Sequence, residues 1–372
     1  MNVCVGTEVE SLEGALAAMH GHGHGVLLGS GTIGLALSLK AAGLEGSRVA
    51  IPASVCLNVP LAVLYAGCQP VYCDVDPSDL GISPKSLERH IDEVRAVVAV
   101  HAYGNPCQID AIADLCRSRN VFLIEDAATA QGVTVNGSPV GTFGQCAVLS
   151  FGAGKVIDAV GGGAVLADDP SLTDSIRALY RTLPLRAAFD DQALSDFSRA
   201  HTALYNQCFV TGTLAAQVPA FRRRAIELGT STLTRAPVDI DRVRTGLNHL
   251  PELVGRRRKN AEFFREWVRT SAPSGIMACD QIEGAVPWRF NLLLQNSRNE
   301  VLASILSQRF PVSSWYPPAC EFLESKDAVE LLPVASRIGG EILNLWVNET
   351  IDDGYKSQIV MAIAGAAAGA LS

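Results

Sequence analysis

Short, almost wholly apolar runs alternate with helical stretches over residues 10–240, and this alternation is the feature that most constrains the fold. Such runs are typical of strands covered on both faces, whereas half-exposed strands alternate in polarity. Strand, helix and strand at this spacing predict right-handed crossovers and a mostly parallel sheet. The predicted strands are VLLG (26–29), RVAIP (48–52), PVYCDV (70–75), AVVAVHAYG (96–104), FLIEDA (122–127), AVLSFG (147–152) and GAVLAD (163–168). Ligands of such sheets bind at the carboxyl ends of the strands.

The second part of the chain shows a different pattern, which becomes helical and charged past about residue 170. A chain of 372 residues suits two domains. The later predicted elements are a long helix at 250–270, a strand at 287–294, a helix at 301–309, a strand at 341–347 and a final helix. We therefore predict an α/β fold with a large domain at residues 1–235 and a smaller α+β domain at 236–372.

Composition excludes some classes of function. The formal net charge of -8 argues against a nucleic-acid surface, which usually needs a basic face. The arginine clusters at 222–224 and 256–258 are interpreted as solvated faces or ion-pair partners. The N-terminus lacks the pattern of a signal peptide, and no apolar run has the length of a membrane span. We therefore expect neither a nucleic-acid nor a membrane partner.

The cysteines and histidines do not form metal-binding patterns. The ten cysteines are scattered without a C-x-x-C pair, which predicts reduced thiols in a cytoplasmic protein. His20, His22 and His24 alternate with glycine, but nothing nearby completes a ligand set. We interpret that segment as a flexible turn and predict no metal.

The first glycine motif, Gly29–Gly34, follows a predicted strand and opens a helix, where backbone amides can bind an anion. A dinucleotide site would also need an acid about 20 residues later. The corresponding place reads Ala50-Ile51-Pro52, without a carboxylate. The motif therefore favours a cup for a single phosphate, and a purely structural turn stays open as the alternative.

A second motif places Lys155 after Gly152-Ala153-Gly154. A nucleotide-binding P-loop is excluded because Leu149 occupies the first glycine position and Val156 follows the lysine. A lysine at a pocket floor has a lowered pKa, and its neutral amine can attack an aldehyde. Taken alone, the motif also fits a surface lysine in a turn.

A third motif, FLIEDAA at 122–128, places Asp126 after three apolar strand residues, at the carboxyl end of the predicted sheet. A carboxylate there can keep a pyridinium nitrogen protonated and so make the ring an electron sink. A loop carboxylate that caps the next helix is the alternative. The three motifs together supply a phosphate cup, a carboxylate for a ring nitrogen and a reactive lysine within one domain.

These residues resemble the DegT/DnrJ/EryC1/StrS family of pyridoxal-phosphate-dependent sugar aminotransferases, which adopt the aspartate-aminotransferase-like fold (fold type I). The resemblance extends over nearly the whole chain. It is clearest in SGT (30–32), AVLYAGCQPVYCDVDP (62–77), VHAYGNPCQIDAI (100–112), IEDAATAQG (124–132), PVGTFG (139–144), SFGAGK (150–155) and GGAVLADD (162–169), with weaker echoes in WYPP (315–318) and EILNL (341–345).

The resemblance implies a role for each matching residue. Lys155 would hold pyridoxal 5'-phosphate as a Schiff base and move protons, and Asp126 would pair with the pyridine nitrogen. Gly31 and Thr32 would hold the phosphate, with a further bond from the Ser150 hydroxyl. The family transfers an amino group from glutamate or glutamine to a nucleotide-linked keto-sugar, and its members are homodimers with shared active sites.

Several positions depart from the family pattern. Cys56 stands where an aromatic side chain usually lies against the cofactor ring, and Val156 replaces an asparagine after the lysine. Thr129 replaces a glutamine or histidine, and Gln131 is a candidate substitute because a period of two restores the same face of an extended segment. The usual arginine segment near 200–215 is not recognisable, and Asn206 is the candidate there for the neighbour's phosphate.

The leading hypothesis is thus amino transfer to a keto-sugar, and three others stay open. One keeps the cofactor but uses a non-sugar keto or amino acid, motivated by Cys56 and by a shorter N-terminal segment than the family's. Another is a silent regulator that binds cofactor or sugar, against which the intact Lys155 and Asp126 count. Deoxygenation of a sugar is disfavoured, because the lysine is present and no C-x-C pair exists.

Overall fold

The computed structural model contains two principal sheets, each packed against helices. It describes residues 2–186, 233–279, 282–295, 298–323 and 332–370, together with the isolated positions 192, 195 and 199. The predicted site residue Asn206 and the arginine cluster at 222–224 lie outside the described residues.

The large sheet has seven strands in the order β1-β9-β8-β5-β4-β2-β3. Neighbours from β8 to β3 pair in parallel, whereas β9 runs antiparallel to both β8 and β1. The strands, with the small hairpin β6–β7, are β1 (His24–Leu28), β2 (Arg48–Pro52), β3 (Gln69–Cys73), β4 (Ala96–Val100), β5 (Phe122–Asp126), β6 (Thr134–Val135), β7 (Ser138–Pro139), β8 (Cys146–Ser150) and β9 (Gly163–Ala167). The predicted strands and the mostly parallel α/β sheet are confirmed.

Helices cover both faces of this sheet, which explains why its strands are apolar throughout. In β4, Val98 and Val100 pack in one hydrophobic cluster, whereas Val97 and Ala99 pack in another on the opposite face. All five residues of β4, β8 and β9 are buried. The helices before residue 186 are α1 (Asn2–Met19), α2 (Gly31–Ala41), α3 (Asn58–Tyr65), α4 (Pro84–Glu88), α5 (Ile109–Arg119) and α6 (Pro170–Thr182).

The second sheet has four strands, all antiparallel, in the order β10-β11-β13-β12. Its strands are β10 (Ile276–Ala278), β11 (Arg289–Leu294), β12 (Val312–Ser313) and β13 (Ile342–Trp346). The accompanying helices are α7 (Ile240–Asn248), α8 (Leu250–Thr270), α9 (Arg298–Ser307), α10 (Cys320–Leu323), α11 (Pro333–Glu341) and α12 (Asp353–Ala370). The later predicted elements are therefore present, and α8 has the predicted bounds. The domain boundary at residue 235 stays a prediction.

Two segments are more buried than their sequences indicate. The histidine segment does turn between α1 and β1, but His20 and His22 are buried, and His22 Nε2 lies 2.7 Å from the Gly141 carbonyl oxygen. Arg257 of the second arginine cluster forms an ion pair with Glu349, as one of the two interpretations predicted, but it is fully buried. Glycine and arginine content alone does not reveal that another segment covers these side chains. Among the helices of the described ranges, none has both the length and the apolar character needed to cross a membrane.

The turn after β4 connects the two sheets through close backbone contacts. Gly104 accepts a hydrogen bond from Val286 N (3.0 Å), and Trp288 N donates to Tyr103 O (2.7 Å). Gly104 has a φ of 87°, and a Cβ atom there would lie 1.9 Å from Val286 O. Only glycine fits this approach, so the residue fixes where the small sheet meets the large one.

We expect Gly104→Ala to lower the free energy of unfolding by about 2–4 kcal/mol, since it combines a left-handed backbone penalty with overpacking. Gly46→Ala is the matched control, because Gly46 has a φ of 81° but nothing within 4 Å of an added Cβ. It should cost only about 1 kcal/mol. Urea denaturation of both variants measures the difference. Equal losses of unfolding free energy in the two variants would show that the close approach to Val286 O does not add to the cost of the substitution.

Candidate active site

The start of α2 forms the predicted phosphate cup. The Ser30 hydroxyl caps the helix by accepting a hydrogen bond from Ile33 N (3.2 Å). A Cβ atom at Gly31 would lie 3.1 Å from Leu149 O and 3.2 Å from Ser150 Cβ, so the helix begins directly against the end of β8. Gly31, the adjacent Thr32 and Ser150 are thereby brought together. Free amides at a helix N-terminus favour an anion at this place.

Asp126 ends β5 at the same edge of the sheet and is buried. Its Oδ1 accepts a hydrogen bond from Ala128 N (2.9 Å), which leaves Oδ2 open to a further donor among the described residues. Burial raises the pKa of Asp126, while the Ala128 amide and the charge of Lys155 oppose the rise. A cation or an N–H donor at this carboxylate would offset the unfavourable free energy of burying its negative charge.

Lys155 lies in the turn between β8 and β9, and its backbone is held at both ends. Its N donates to Gly152 O (3.1 Å), and its carbonyl accepts a bond from Arg257 Nη2 (3.1 Å). The Nζ atom lies 5.0 Å from the centroid of the Trp288 ring. These contacts hold the amine in a partly buried position above an aromatic face.

Burial lowers the pKa of Lys155. The nearby Cys56 and Asp126 groups raise this pKa, and Arg289 lowers it further, but burial is the largest cause. The same interactions show that Cys56, Asp126 and Lys155 share one neighbourhood. A larger fraction of neutral amine at a given pH favours attack on an aldehyde.

Cys56 and Thr129 are the two residues predicted to contact the cofactor in place of the family's usual side chains. Cys56 follows β2 beside Lys155, and burial raises the pKa of its thiol, so the thiol stays neutral near pH 7. The Thr129 hydroxyl donates to His101 O (3.0 Å) and thus fastens the segment after Asp126. A direct contact of Cys56 or Thr129 with a cofactor stays a prediction.

Gln131 does not act as the suggested substitute for the family's glutamine or histidine. It is fully buried, and both ends of its amide are engaged. Nε2 donates to Ser150 O (3.3 Å), and Oε1 accepts from Ile157 N (3.0 Å). Gln131 therefore connects, through these hydrogen bonds, the two ends of the turn between β8 and β9 that contains Lys155, called the lysine turn below.

An aromatic series from three segments borders this region, and the sequence analysis missed it. Trp288 stacks on Trp315 with ring centroids 6.1 Å apart, and Tyr316 stacks on both Trp315 and Tyr103 at 5.7 Å. Trp288 Nε1 also donates to Gly154 O (2.8 Å), so the series is attached to the lysine turn. In the sequence, the aromatic residues of the segments PWRF and WYPP are visible, but nothing indicates that the fold brings these segments together beside Lys155.

Comparison with known proteins decides the family. Residues 2–194, just over half of the chain, match the model of the DegT/DnrJ/EryC1/StrS aminotransferase family. The chain belongs to this family. This confirms the predicted resemblance, and the family's dependence on pyridoxal 5'-phosphate bears out the predicted cofactor.

Curated relatives match a little less than half of the chain. A GDP-perosamine synthase of Escherichia coli O157:H7 is 34% identical over 171 residues, which are 45% of this chain and 47% of that protein. A dTDP-4-dehydro-2,3,6-trideoxy-D-glucose 4-aminotransferase of Saccharopolyspora spinosa is 37% identical over 174 residues, 46% of this chain and 45% of its own. The chain thus aligns with about half the length of these relatives.

A solved structure supports the fold over the whole chain. DesI, solved in the presence of its TDP-sugar product, superposes with a TM-score of 0.76 at 24% identity, covering 97% of this chain and 85% of its own. Such a likeness concerns the fold, and it confirms the predicted fold type.

The residues present fit the family's cofactor. A buried carboxylate with an open oxygen, a partly buried lysine of lowered pKa and a helix N-terminus against Ser150 all lie at the carboxyl edge of one sheet. Gly31, Thr32 and Ser150 would hold the phosphate, Asp126 the ring nitrogen and Lys155 the aldehyde carbon. Within the described ranges, no cluster of histidine, cysteine and acidic side chains could hold a metal ion.

Proposed function

We propose that this protein is a pyridoxal-phosphate-dependent aminotransferase that moves the amino group of glutamate or glutamine to a nucleotide-linked keto-sugar. The observation that carries the proposal is the convergence of Lys155, Asp126 and Cys56 in one partly buried neighbourhood, in a chain of this family. The names of the two curated relatives support a nucleotide-linked sugar as acceptor.

The cofactor, when bound, supplies an electron sink that stabilises negative charge on the carbon bearing the amine. The chain's own residues supply the rest. Lys155, with its lowered pKa, is suited to take a proton from that carbon and to return one to the acceptor. Asp126 would keep the ring nitrogen protonated, and the amides at the start of α2 would bind the phosphate.

Two further parts of the proposal rest on the resemblance and on the cysteines. We propose a homodimer with shared active sites, in which Asn206 is a candidate for contacting the neighbour's phosphate. A cytoplasmic location is supported by the thiols, because none of the eight cysteines with described side chains forms a disulfide. These features would be expected of a biosynthetic enzyme that works on activated sugars.

An amino-transfer assay in two halves tests the function. Incubation of the holoenzyme with glutamate alone should release 2-oxoglutarate once per site. Adding GDP-, dTDP- or UDP-linked keto-sugars should then allow continuous turnover, with the amino sugar identified by mass spectrometry. Failure with all amino acids by a folded, cofactor-loaded protein would contradict the proposal.

The same assay separates the alternatives. Turnover with a free keto acid, but with no keto-sugar, would favour the non-sugar function. Binding of cofactor and sugar without any release of 2-oxoglutarate would favour a regulator. The chain's intact Lys155 and Asp126 are what make amino transfer the leading proposal.

A further inference from the structure

Asp158 lies shortly after Lys155 in the lysine turn, and each of its carboxylate oxygens accepts a backbone hydrogen bond. Oδ2 accepts from Gly154 N (2.7 Å), in the residue directly before the lysine. Oδ1 accepts from Val160 N (2.8 Å), further along the chain. One side chain therefore connects the segment before Lys155 with the segment that leads into β9.

Val160 has a backbone conformation that is unfavourable for its type of side chain. Its φ is 66°, in the left-handed region, where a β-branched residue is a genuine outlier. The side chain is 65% exposed, so burial of its methyl groups contributes little to holding it there. The bond from its amide to Asp158 stabilises the turn, as aspartate side chains do when they bind the backbone two residues on. Such conformations persist where neighbouring contacts enforce them, and they cluster at functional sites.

Asp158 completes a set of hydrogen bonds around the peptide that joins Gly154 to Lys155. Gly154 O accepts from Trp288 Nε1 (2.8 Å), and Lys155 O accepts from Arg257 Nη2 (3.1 Å). Burial lowers the pKa of Arg257, while acidic neighbours that include Asp158 oppose this effect. Gly154 has a φ of 77°, and because glycine has little conformational preference of its own, its geometry depends on these bonds. The bonds fix the backbone from which the lysine side chain extends.

We propose that Asp158 is a positioning residue for amino transfer, an assignment that rests on the proposed function. By holding both segments of the lysine turn, its carboxylate keeps the amine of Lys155 where a proton is taken from the donor and returned to the acceptor. Asp158 acts through the backbone amides of Gly154 and Val160, without touching the reacting atoms. A displacement of a reacting group by about 1 Å lowers a rate by as much as about 100-fold.

Two substitutions at Asp158 test the assignment in the glutamate half-reaction. Asp158→Ala removes both acceptor oxygens, and we expect it to lower the maximal rate about 10- to 100-fold. The glutamate concentration at half-maximal rate should change little, because the lost bonds are made within the turn and not with the donor. Asp158→Asn keeps one acceptor oxygen and should lose less. Asp169→Ala is the matched control, because it removes a carboxylate that accepts from Ser171 N (2.8 Å) at the start of α6.

Chemical labelling of Lys155 adds a readout that does not depend on activity. In protein loaded with pyridoxamine phosphate the amine is free, and mass spectrometry can follow its acetylation by acetic anhydride as a function of pH. Burial is the largest cause of its lowered pKa, and a loosened turn would expose the amine to water. The titratable groups beside it, which Asp158→Ala leaves in place, are those of Cys56, Asp126 and Arg289. The pH midpoint of labelling should therefore rise in Asp158→Ala and stay unchanged in Asp169→Ala.

The direction of this shift separates positioning from a direct effect of charge. If Asp158 acted on the amine through its charge, removing that negative charge would lower the midpoint. An unshifted or lowered midpoint would overturn the assignment, as would an unchanged maximal rate in a folded Asp158→Ala variant. If urea denaturation shows that the alanine variant does not fold, Asp158→Asn decides by the same criteria. If the wild type transfers no amino group but the midpoint still rises in the variant, the proposed function fails separately from the control of Lys155 by Asp158.

Discussion

Lys155→Ala should abolish amino transfer, lowering the rate of 2-oxoglutarate release at least about a thousandfold. In the proposed function, the amine would both hold the cofactor and act as the base beside the reacting carbon. Its neighbourhood is built for these tasks, because burial lowers its pKa and Asp126 lies close enough to affect it. Stopped-flow measurement of the glutamate half-reaction gives the rate.

Borohydride reduction adds a covalent readout to the same variant. After reduction, the peptide containing Lys155 should carry the cofactor mass in the wild type and lack it in the alanine variant. Lys259→Ala is the matched control, since Lys259 is an exposed lysine on α8 and should leave both readouts unchanged. Covalent labelling at another lysine, or full transfer by Lys155→Ala, would contradict the assignment.

The sheet could be predicted from the sequence because both of its faces are covered. Continuous apolar runs such as Val49–Pro52 mark buried parallel strands, and the observed β2 (Arg48–Pro52) has the predicted bounds. The polar residues that follow such runs then had to meet at one edge. Asp126 at the end of β5 and Lys155 after β8 were predictable for this reason.

The contribution of α8 and the second sheet to the site was not predictable in this way. Arg257 and Trp288 reach the lysine turn from segments more than 100 residues away, through hydrogen bonds to Lys155 O and Gly154 O. Arginine is usually exposed, so sequence patterns favour a surface position. Only the packing of α8 and β11 against the turn reveals that Arg257 and Arg289 are buried. The same limit applies to Gln131, whose clamp depends on two backbone groups of the turn.

Glu125, the residue before Asp126, is the centre of a buried hydrogen-bond network. Its Oε1 accepts from Phe143 N (2.6 Å) and Gly144 N (2.8 Å), and its Oε2 from Gly141 N (2.7 Å). His101 Nε2 lies 3.1 Å from Oε2. The carboxylate thus connects the loop before β8 to β5, at the residue next to Asp126.

The hydrogen-bond network favours the charged forms of both Glu125 and His101. Burial alone would raise the pKa of Glu125, but His101 and the amides of Gly141 and Gly144 outweigh it and hold that pKa below its usual range. For His101, burial alone would lower the pKa, but Cys107 and Glu125 outweigh it and raise the pKa to about 10. We therefore treat the two side chains as a buried ion pair near neutral pH.

Glu125→Ala should lower the free energy of unfolding by about 3–5 kcal/mol near neutral pH, because it leaves three amides and a charged imidazole without their acceptor. Glu125→Gln should also destabilise the fold, since its amide nitrogen would face backbone donors. Urea denaturation at a series of pH values measures both losses. Asp114→Asn, which breaks an exposed ion pair with Arg117, is the control and should cost little.

The pH dependence distinguishes an ion pair from simple packing. Because the pKa of Glu125 is lowered in the folded state, its contribution is present above its unfolded pKa of about 4.3 and is lost as the pH falls through the folded value. Because the pKa of His101 is raised, its contribution is complete below about pH 6.5 and declines as the pH rises toward about 10. The difference in stability between the wild type and Glu125→Gln should therefore be largest between these limits and smaller on both sides. A difference that does not change with pH would show that Glu125 acts through packing and backbone hydrogen bonds, without a charged partner.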